Sequence, residues 1–441
     1  MAAMRLDGTS RRMSWYLLAL SLVLCFGMWQ WADRVLIPGS TKAALAGGVP
    51  IGNNSDLYAR WLGARELLLR HRNPYSAEVT RDIQIGFYGR ALDPAKPSDP
   101  TDQQAFAYPL YVVFLMAPAV LFPFSTVMKI FGWSLLVCTA ASVLLWIDAL
   151  GLRISGPLRA ATVFLVLGTY PVLEGFHKQQ LTMLVGFLLA AAAAAMARDR
   201  LALSGVLLSL STIKPQLTVL LLCWFLVWVL GDWRKRRRLL SSFAASMAML
   251  LIGAEMLLPG WMRDFVAAIR AYERYAAEQP ILQTLLTVPV GEVAGVLLLA
   301  VLAAVCWRWR QEQAGSVRFG WAVILALTVN LAILNKTSPY NQVLLIPAWL
   351  VLPDQLGRVG IVGRAVVKAA FACQAWQWLT ALLLAVCSYM VPIERLQWAH
   401  RVPIYTIFAL TPLILLSILL CLPRGQLVGE TTARTPAESR G

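Results

Sequence analysis

Four long apolar runs, Leu17–Met28, Leu181–Ala197, Val296–Cys306 and Thr406–Leu422, constrain what this chain can fold into more than any other feature. A bilayer core takes about 20 mostly apolar residues per helix, with every backbone polar group satisfied internally. Further apolar stretches lie between these runs. Only 14% of the 441 residues are charged, against ~25% in an ordinary soluble domain. The expected fold is an all-α integral membrane protein. The first run follows Arg11 and Arg12 but continues past signal-peptide length without a small-residue cleavage site, so it reads as a retained anchor.

The formal net charge of +16 would suggest nucleic acid in a soluble protein. Here the basic residues fall mainly in short segments between apolar runs, where lipid headgroups and the positive-inside rule account for them. No nucleic-acid partner is expected. The seven cysteines (Cys25, Cys138, Cys223, Cys306, Cys373, Cys387, Cys421) lie within or beside apolar segments and show no zinc-type spacing.

Counting lysines and arginines gives a topology. Arg5, Arg11 and Arg12 put residues 1–14 on the cytoplasmic side, and a first span near 15–33 delivers residues 34–104 to the outside. Phe106–Phe124 holds Pro109, Pro118 and Pro123, and proline costs ~3 kcal/mol in a helix interior. If that segment crossed fully, Arg234-Lys235-Arg236-Arg237-Arg238 would face outward. The segment is therefore expected to dip in and return. About twelve transmembrane helices follow, near 15–33, 125–148, 157–173, 181–197, 200–213, 216–231, 241–258, 290–307, 320–335, 341–353, 366–390 and 403–421. The polytopic domain is 15–422. The tail 423–441 is expected to be disordered and cytoplasmic. There is no convincing internal repeat, which weakens a transporter reading.

This topology gathers polar groups on one face. The outer side receives Asp56, Glu174 to Gln180, Lys214, Gly260–Gln279 and Asn335–Asn341, and the inner side receives mostly arginine. That is the pattern of an enzyme working at the outer leaflet of the cell membrane. Asn54 or Ser55 is expected to cap a helix beginning at Asp56. Leu57, Trp61, Ala64 and Leu68 then recur about once per turn, as in an amphipathic helix lying on the membrane surface. A carboxylate in the first turn is stabilised by the helix dipole and suits a general base. It equally suits a plain helix start.

Several short motifs occur in order. Asp56-Leu57-Tyr58, Asn73-Pro74-Tyr75, Phe106-Ala107-Tyr108-Pro109, Gln180-Leu181-Thr182 and Lys214-Pro215 are spread through an apolar chain whose first large loop comes early. The arrangement resembles the glycosyltransferase-C superfamily. More closely, it resembles the bacterial polyprenyl-phosphate-dependent mannosyltransferase and arabinofuranosyltransferase family, which includes the enzymes that extend phosphatidylinositol mannosides. The resemblance covers residues 15–350. Departures are Leu110 for a second proline, Gln179 for glycine and Thr182 for asparagine in a Gly-Gln-x-Asn element, and Ser338-Pro339-Tyr340-Asn341 where family members often carry histidine.

The resemblance implies a large first extracytoplasmic loop with amphipathic helices and a polyprenyl-phosphate sugar donor, with mannose or a similar hexose favoured. It implies a lipid-linked or cell-envelope glycan acceptor. Asp56 would deprotonate the acceptor hydroxyl, which displaces the lipid phosphate with inversion, and Lys214 would meet the phosphate. His177, Lys178 and Gln180 would contact phosphate or sugar, or form a solvated turn. Arg60 would pair with Asp56 or bind phosphate, and Tyr58 is a further donor-side candidate. Tyr108, Tyr340 and Asn341 would line the acceptor cavity. Asp264, Arg270, Glu273, Arg274 and Glu278 read as a solvated amphipathic helix before an acceptor site. Asn330 reads as interhelical glue. Sequons occur at Asn53 and Asn335. No glycine-rich phosphate loop is present, so no nucleotide site is expected, nor any metal or other cofactor. The rival readings are a lipid-linked sugar flippase or transporter, an O-antigen ligase or polymerase, and an inactive scaffold.

Overall fold

A computed structural model describes residues 11–93, 95–96, 99–275, 279–334 and 338–423. The tail beyond residue 423, Glu278 and the sequon at Asn335 lie outside the described residues. Those described form helices joined by short connections, with no β-strand among them.

The chain opens on α1 (Arg11–Trp31). The helix does not stop at residue 33, where the charge pattern ends the first span. It runs through a π-helical turn, Ala32–Leu36, into α2 (Ile37–Ala46). Pro38 supplies the reason. In an α-helix its ring would clash with the carbonyl four residues earlier, and a widened turn relieves that clash without ending the helix.

Next come α3 (Leu57–Arg70), α4 (Ala77–Tyr88) and α5 (Val112–Met116). The expected stripe of Leu57, Trp61 and Ala64 is buried, but so are Arg60, Leu62, Gly63 and Glu66. With α4 and α5 packed on it, α3 is an internal element and not a one-sided surface helix. Buried Glu66 is neutralised by Arg70 and Arg72, each at 2.8 Å. Between Phe106 and Phe124 the only helical pieces are α5 and a 3₁₀ turn at Ala117–Ala119, bracketed by Pro109, Pro118 and Pro123.

The bundle proper starts with α6 (Phe124–Ala149), α7 (Gly156–Leu167) and α8 (Tyr170–His177), the last two bent by 59°. Then follow α9 (Leu181–Ala197), α10 (Leu201–Ser211), α11 (Val219–Gly231) and α12 (Trp233–Leu257). After α13 (Trp261–Tyr275) and α14 (Ile281–Leu286) come α15 (Val288–Trp309), α16 (Val317–Ile333), α17 (Ile346–Gln355), α18 (Ile361–Met390), α19 (Ile393–Leu396) and α20 (Ile407–Cys421). Two helices form the centre. In α9 the alanine run Ala190–Ala195 lets neighbours approach closely, and in α16 every residue from Phe319 to Ala332 is buried.

Helix length matches the expected twelve crossings only in part. Among the described residues six helices are long and apolar enough to span a bilayer, and the α7–α8 pair would make seven. The expected spans at 181–197, 200–213, 216–231 and 320–335 are the shorter apolar helices α9, α10, α11 and α16. The expected span at 341–353 is a 3₁₀ segment, Pro339–Leu345, running into ten-residue α17. Proline and polar residues cut these segments short, and neighbouring side chains take up the freed backbone groups. At the α7–α8 break, Leu167 O accepts from Trp29 Nε1 (3.0 Å) and Gly168 O from Trp378 Nε1 (2.7 Å). Between α10 and α11, Thr212 O accepts from Tyr111 Oη (2.9 Å). Asn330 of α16 donates to Gln216 O (2.8 Å) and accepts from Leu220 N (3.3 Å). Asn330 is thus the glue its position in an apolar helix suggested.

The connections sort to two ends. At one lie residues 178–180, Lys214 and Tyr340; at the other Asp148 pairs with Arg198 (2.7 Å) and Arg236 meets the α15–α16 turn. Arg236 is not part of an exposed basic run. It is buried and donates to Trp228 O, Arg310 O, Gln311 O and Glu312 O, closing the C-terminal ends of α11 and α15. Its neighbours Arg234, Lys235, Arg237 and Arg238 are exposed.

Two outcomes follow. In a background freed of native cysteines, single cysteines at exposed Thr101 and Lys235 should be labelled from opposite sides of sealed vesicles; labelling of both from one side would overturn the topology. Asn330→Leu removes both hydrogen bonds that tie buried Asn330 of α16 to the α10–α11 break. It should cost about 1–3 kcal/mol, read as a lower thermal midpoint in detergent. An unchanged midpoint would contradict the role given to Asn330.

Candidate active site

The site begins where α3 begins. Asp56 occupies the N-cap position, one residue after Ser55 and two after Asn54, the expected caps, and its side chain makes no cap bond. Ser55 is committed elsewhere, its Oγ donating to Gln179 Oε1, and Asn53 Oδ1 takes the Ser55 N–H (3.0 Å). Asn53 Nδ2 donates to Gly86 O (2.8 Å), so the Asn53 sequon side chain is already engaged. An aspartate at an N-cap ordinarily bonds the amides of its own first turn. This one turns outward and accepts from Gln180 Nε2.

The turn at 178–180, between α8 and α9, grips the start of α3 three times. Lys178 O accepts the Asp56 N–H (3.1 Å), Gln179 holds Ser55, and Gln180 holds the Asp56 carboxylate. Gln179 has φ +47°, a left-handed conformation that suits glycine and costs a side-chain-bearing residue about 1 kcal/mol or more. Its amide compensates by donating to Phe176 O (2.6 Å) while accepting from Ser55. The glutamine that stands in place of an expected glycine therefore keeps the glycine's backbone and adds a tie to α3.

Lys214 enters from the α10–α11 break. Its Nζ is buried, donating to Gln180 Oε1 (2.6 Å) and Thr182 Oγ1 (2.9 Å), and it lies 5.2 Å from the Tyr340 ring centre. Thr182 in turn donates to Asn341 Oδ1 (2.9 Å). The orientation of the Gln180 amide is dictated by its partners, because an ammonium only donates and a carboxylate only accepts. One amide thus separates Asp56 from Lys214, so the opposite charges sit within about 8 Å, two hydrogen bonds plus an amide.

Two more cations border the carboxylate. Arg60 is buried; it donates to the Asp56 carbonyl and to Tyr108 Oη, and its guanidinium lies 4.0 Å over the Tyr108 ring. Its Nε–H has no partner among the described residues. Burial lowers its pKa to about 10, with Asp56 acting in the opposite direction, so it stays charged at neutral pH. Lys178 pairs with Glu174 (3.0 Å) and lies 5.7 Å from the Tyr340 ring centre, and Glu174 also accepts from Tyr340 N (3.2 Å). Three cations therefore face two carboxylates, an excess of positive charge suited to an anion.

The structure thus brings together Asp56, Arg60, Tyr108, Lys178, Gln180, Lys214, Tyr340 and Asn341. It does not bring in His177 or Tyr58. His177 packs on Trp29 and Phe176 with Nε2 3.7 Å from Asp33 Oδ1, against the widened turn of the first helix. Tyr58 points to the other side of α3, edge-on to Phe124 (4.8 Å) and over Gly86. A helix turns sequence neighbours onto different faces, so the Asp56-Leu57-Tyr58 motif and the 177–180 turn each contain a residue that faces away from the Asp56 carboxylate. Thr182 and Ser55 were not singled out as site residues, although Thr182 follows Gln180 by two positions in the first turn of α9. The inner face of α13 also reaches the site. Asp264 accepts from Asn73 (2.8 Å), and Tyr272 lies close enough to act electrostatically on Arg60 and Tyr340. Arg270, Glu273 and Arg274 stay exposed on its outer face.

The left-handed turn gives a stability test. Gln179→Gly loses two side-chain bonds but relieves the backbone, and should leave stability within about 1 kcal/mol; Gln179→Ala loses the bonds and keeps the strain, and should cost about 1–3 kcal/mol. Equal thermal midpoints for the two variants would refute the strain account.

Comparison with known proteins gives one match. The sequence model of Glycosyltransferase family 87 matches residues 106–334, over half of the chain. The matched stretch contains Tyr108, Lys178, Gln180, Thr182 and Lys214, while Asp56, Arg60, Tyr340 and Asn341 lie outside it. No curated protein and no solved structure matches the chain.

Proposed function

We propose that this chain, which belongs to glycosyltransferase family 87 and is a membrane glycosyltransferase, moves a hexose, mannose or a close relative, from a polyprenyl-phosphate donor to a hydroxyl of a lipid-linked or cell-envelope glycan. The reaction takes place at the outer face of the cell membrane, with both chain ends inside. Asp56 is the general base. It takes the proton of the acceptor hydroxyl as that oxygen attacks the anomeric carbon. The bond from that carbon to the phosphate oxygen breaks on the opposite face, and configuration inverts. The electron pair leaves with the lipid phosphate, whose charge is met by Lys214, Arg60 and Lys178.

The observation that carries this reading is the pairing of a non-capping carboxylate and a buried ammonium on either side of one amide. A glycosyl transfer of this kind needs a base at the acceptor and a cation at the leaving group, about one sugar apart. A carboxylate that merely started a helix would bond its own turn. A lysine that merely snorkelled would send its ammonium to the surface, whereas Lys214 is 4% exposed.

The test uses purified protein with farnesyl-phosphate mannose as donor and an octyl mannoside as acceptor. Asp56→Asn keeps size and hydrogen bonding but removes basicity, and turnover should fall at least ~10²-fold with folding intact. Lys214→Gln should cost ~10²–10³-fold by removing leaving-group stabilisation. Near-normal transfer by the Asp56→Asn variant would exclude Asp56 as the base.

A further inference from the structure

The polar group that joins base to cation has a consequence of its own. Gln180 sits at the N-cap of α9 and is 2% exposed, with its backbone N–H fixed on Gly175 O at 2.8 Å. Its amide is the only group through which the Asp56 carboxylate and the Lys214 ammonium are joined by hydrogen bonds among the described residues. Opposite charges so close, in a site walled by apolar helices, attract strongly and would collapse into direct contact if nothing stood between them. In direct contact both would be spoiled for the proposed reaction. The carboxylate would hold a proton less readily, and the ammonium would spend on it an N–H needed by the phosphate. An amide is suited to prevent this. It offers one acceptor to the ammonium and donors to the carboxylate, it carries no charge, and it does not titrate.

We propose that Gln180 is a positioning residue that acts as a neutral spacer, holding the Asp56 carboxylate and the Lys214 ammonium apart so that each stays available to its own substrate. This rests on the reading of Asp56 as base and Lys214 as phosphate ligand, and it adds a role that neither motif nor charge count suggested. The second contact of Lys214, with Thr182, fixes the ammonium from the side away from Asp56. The other charged or titratable groups facing the carboxylate are Arg60 on its own helix, Lys178 on the 178–180 turn, Tyr88 on α4 and Tyr340 on the 3₁₀ segment. None of them bridges carboxylate and ammonium.

Two substitutions should move the reaction's pH dependence in opposite directions. In Gln180→Leu the spacer's polar atoms are gone and Lys214 closes on Asp56. The ionised carboxylate is then favoured, so the acidic limb of the kcat profile should move to lower pH while kcat falls at least ~10-fold. In Gln180→Glu a like charge faces Asp56, its ionised form is disfavoured, and the acidic limb should move to higher pH. A merely structural glutamine would lower the amplitude in both variants and leave the limb where it is; that result overturns the proposal. A second readout does not depend on turnover. Farnesyl phosphate, followed by intrinsic tryptophan fluorescence, should bind about 10-fold more weakly to Gln180→Leu, and adding Asp56→Asn should restore binding by releasing Lys214. Weak binding that the second substitution does not restore also overturns the proposal. The parent reading fails separately: Asp56→Asn alone would retain turnover, whatever the Gln180 variants do.

Discussion

A lysine ammonium buried between apolar helices is the constraint from which much of this structure follows. Such a charge costs about 2.5–3.5 kcal/mol at mid-membrane on insertion scales, and more if nothing answers it. Lys214 is answered by Gln180, Thr182 and the face of Tyr340. To bring these groups to it, the chain breaks between α10 and α11, starts α9 at Gln180, and lays a 3₁₀ segment across the same end. Gln180 then passes the contact on to Asp56, which docks the first large loop onto the bundle.

Those breaks would be unaffordable without local compensation, and the same kind of device recurs at each. Trp29 and Trp378 cover the carbonyls freed at the α7–α8 bend, Tyr111 and Asn330 those freed beside Lys214, and Arg236 those at the far ends of α11 and α15. Irregular backbone is tolerated in a membrane where protein covers it. Short apolar helices can therefore surround the polar site while longer ones, such as α12 and α15, present Met249, Ile252, Val296 and Leu297 outward.

The all-helical, membrane-bound character was legible in the apolar runs, and so were most of the candidate residues, because polar groups in an apolar chain stand out. The number of span-length helices was not. Charge counting marks where segments turn but not whether each is long enough to cross, and α10 and α11 fall short. The end of the first helix was missed because the charge pattern closes the span near residue 33, whereas a π turn carries the helix on past Pro38. Tyr58 was drawn into the site by the Asp56-Leu57-Tyr58 motif and His177 by its turn beside Gln180, and neither signal says which way a side chain faces. Gln179 looked like a defect in a glycine position; its left-handed backbone and its bonds to Ser55 and Phe176 are visible only in three dimensions. The membrane-glycosyltransferase character was visible in short motifs, but which sugar and acceptor are used depends on the shape of a cavity and not on a pattern of residues.

The central claim is that the lipid phosphate of the donor meets Lys214 on the far side of Gln180 from Asp56. The most direct measurement is a cryo-EM structure of the protein in nanodiscs with bound farnesyl phosphate. The account predicts phosphate density within hydrogen-bonding distance of Lys214 Nζ, with the buried Nε–H of Arg60 turned toward it and Asp56 left free on the acceptor side. A phosphate found at the opposite end of the bundle, beside Arg237 and Arg238, or out of reach of Lys214, would contradict it.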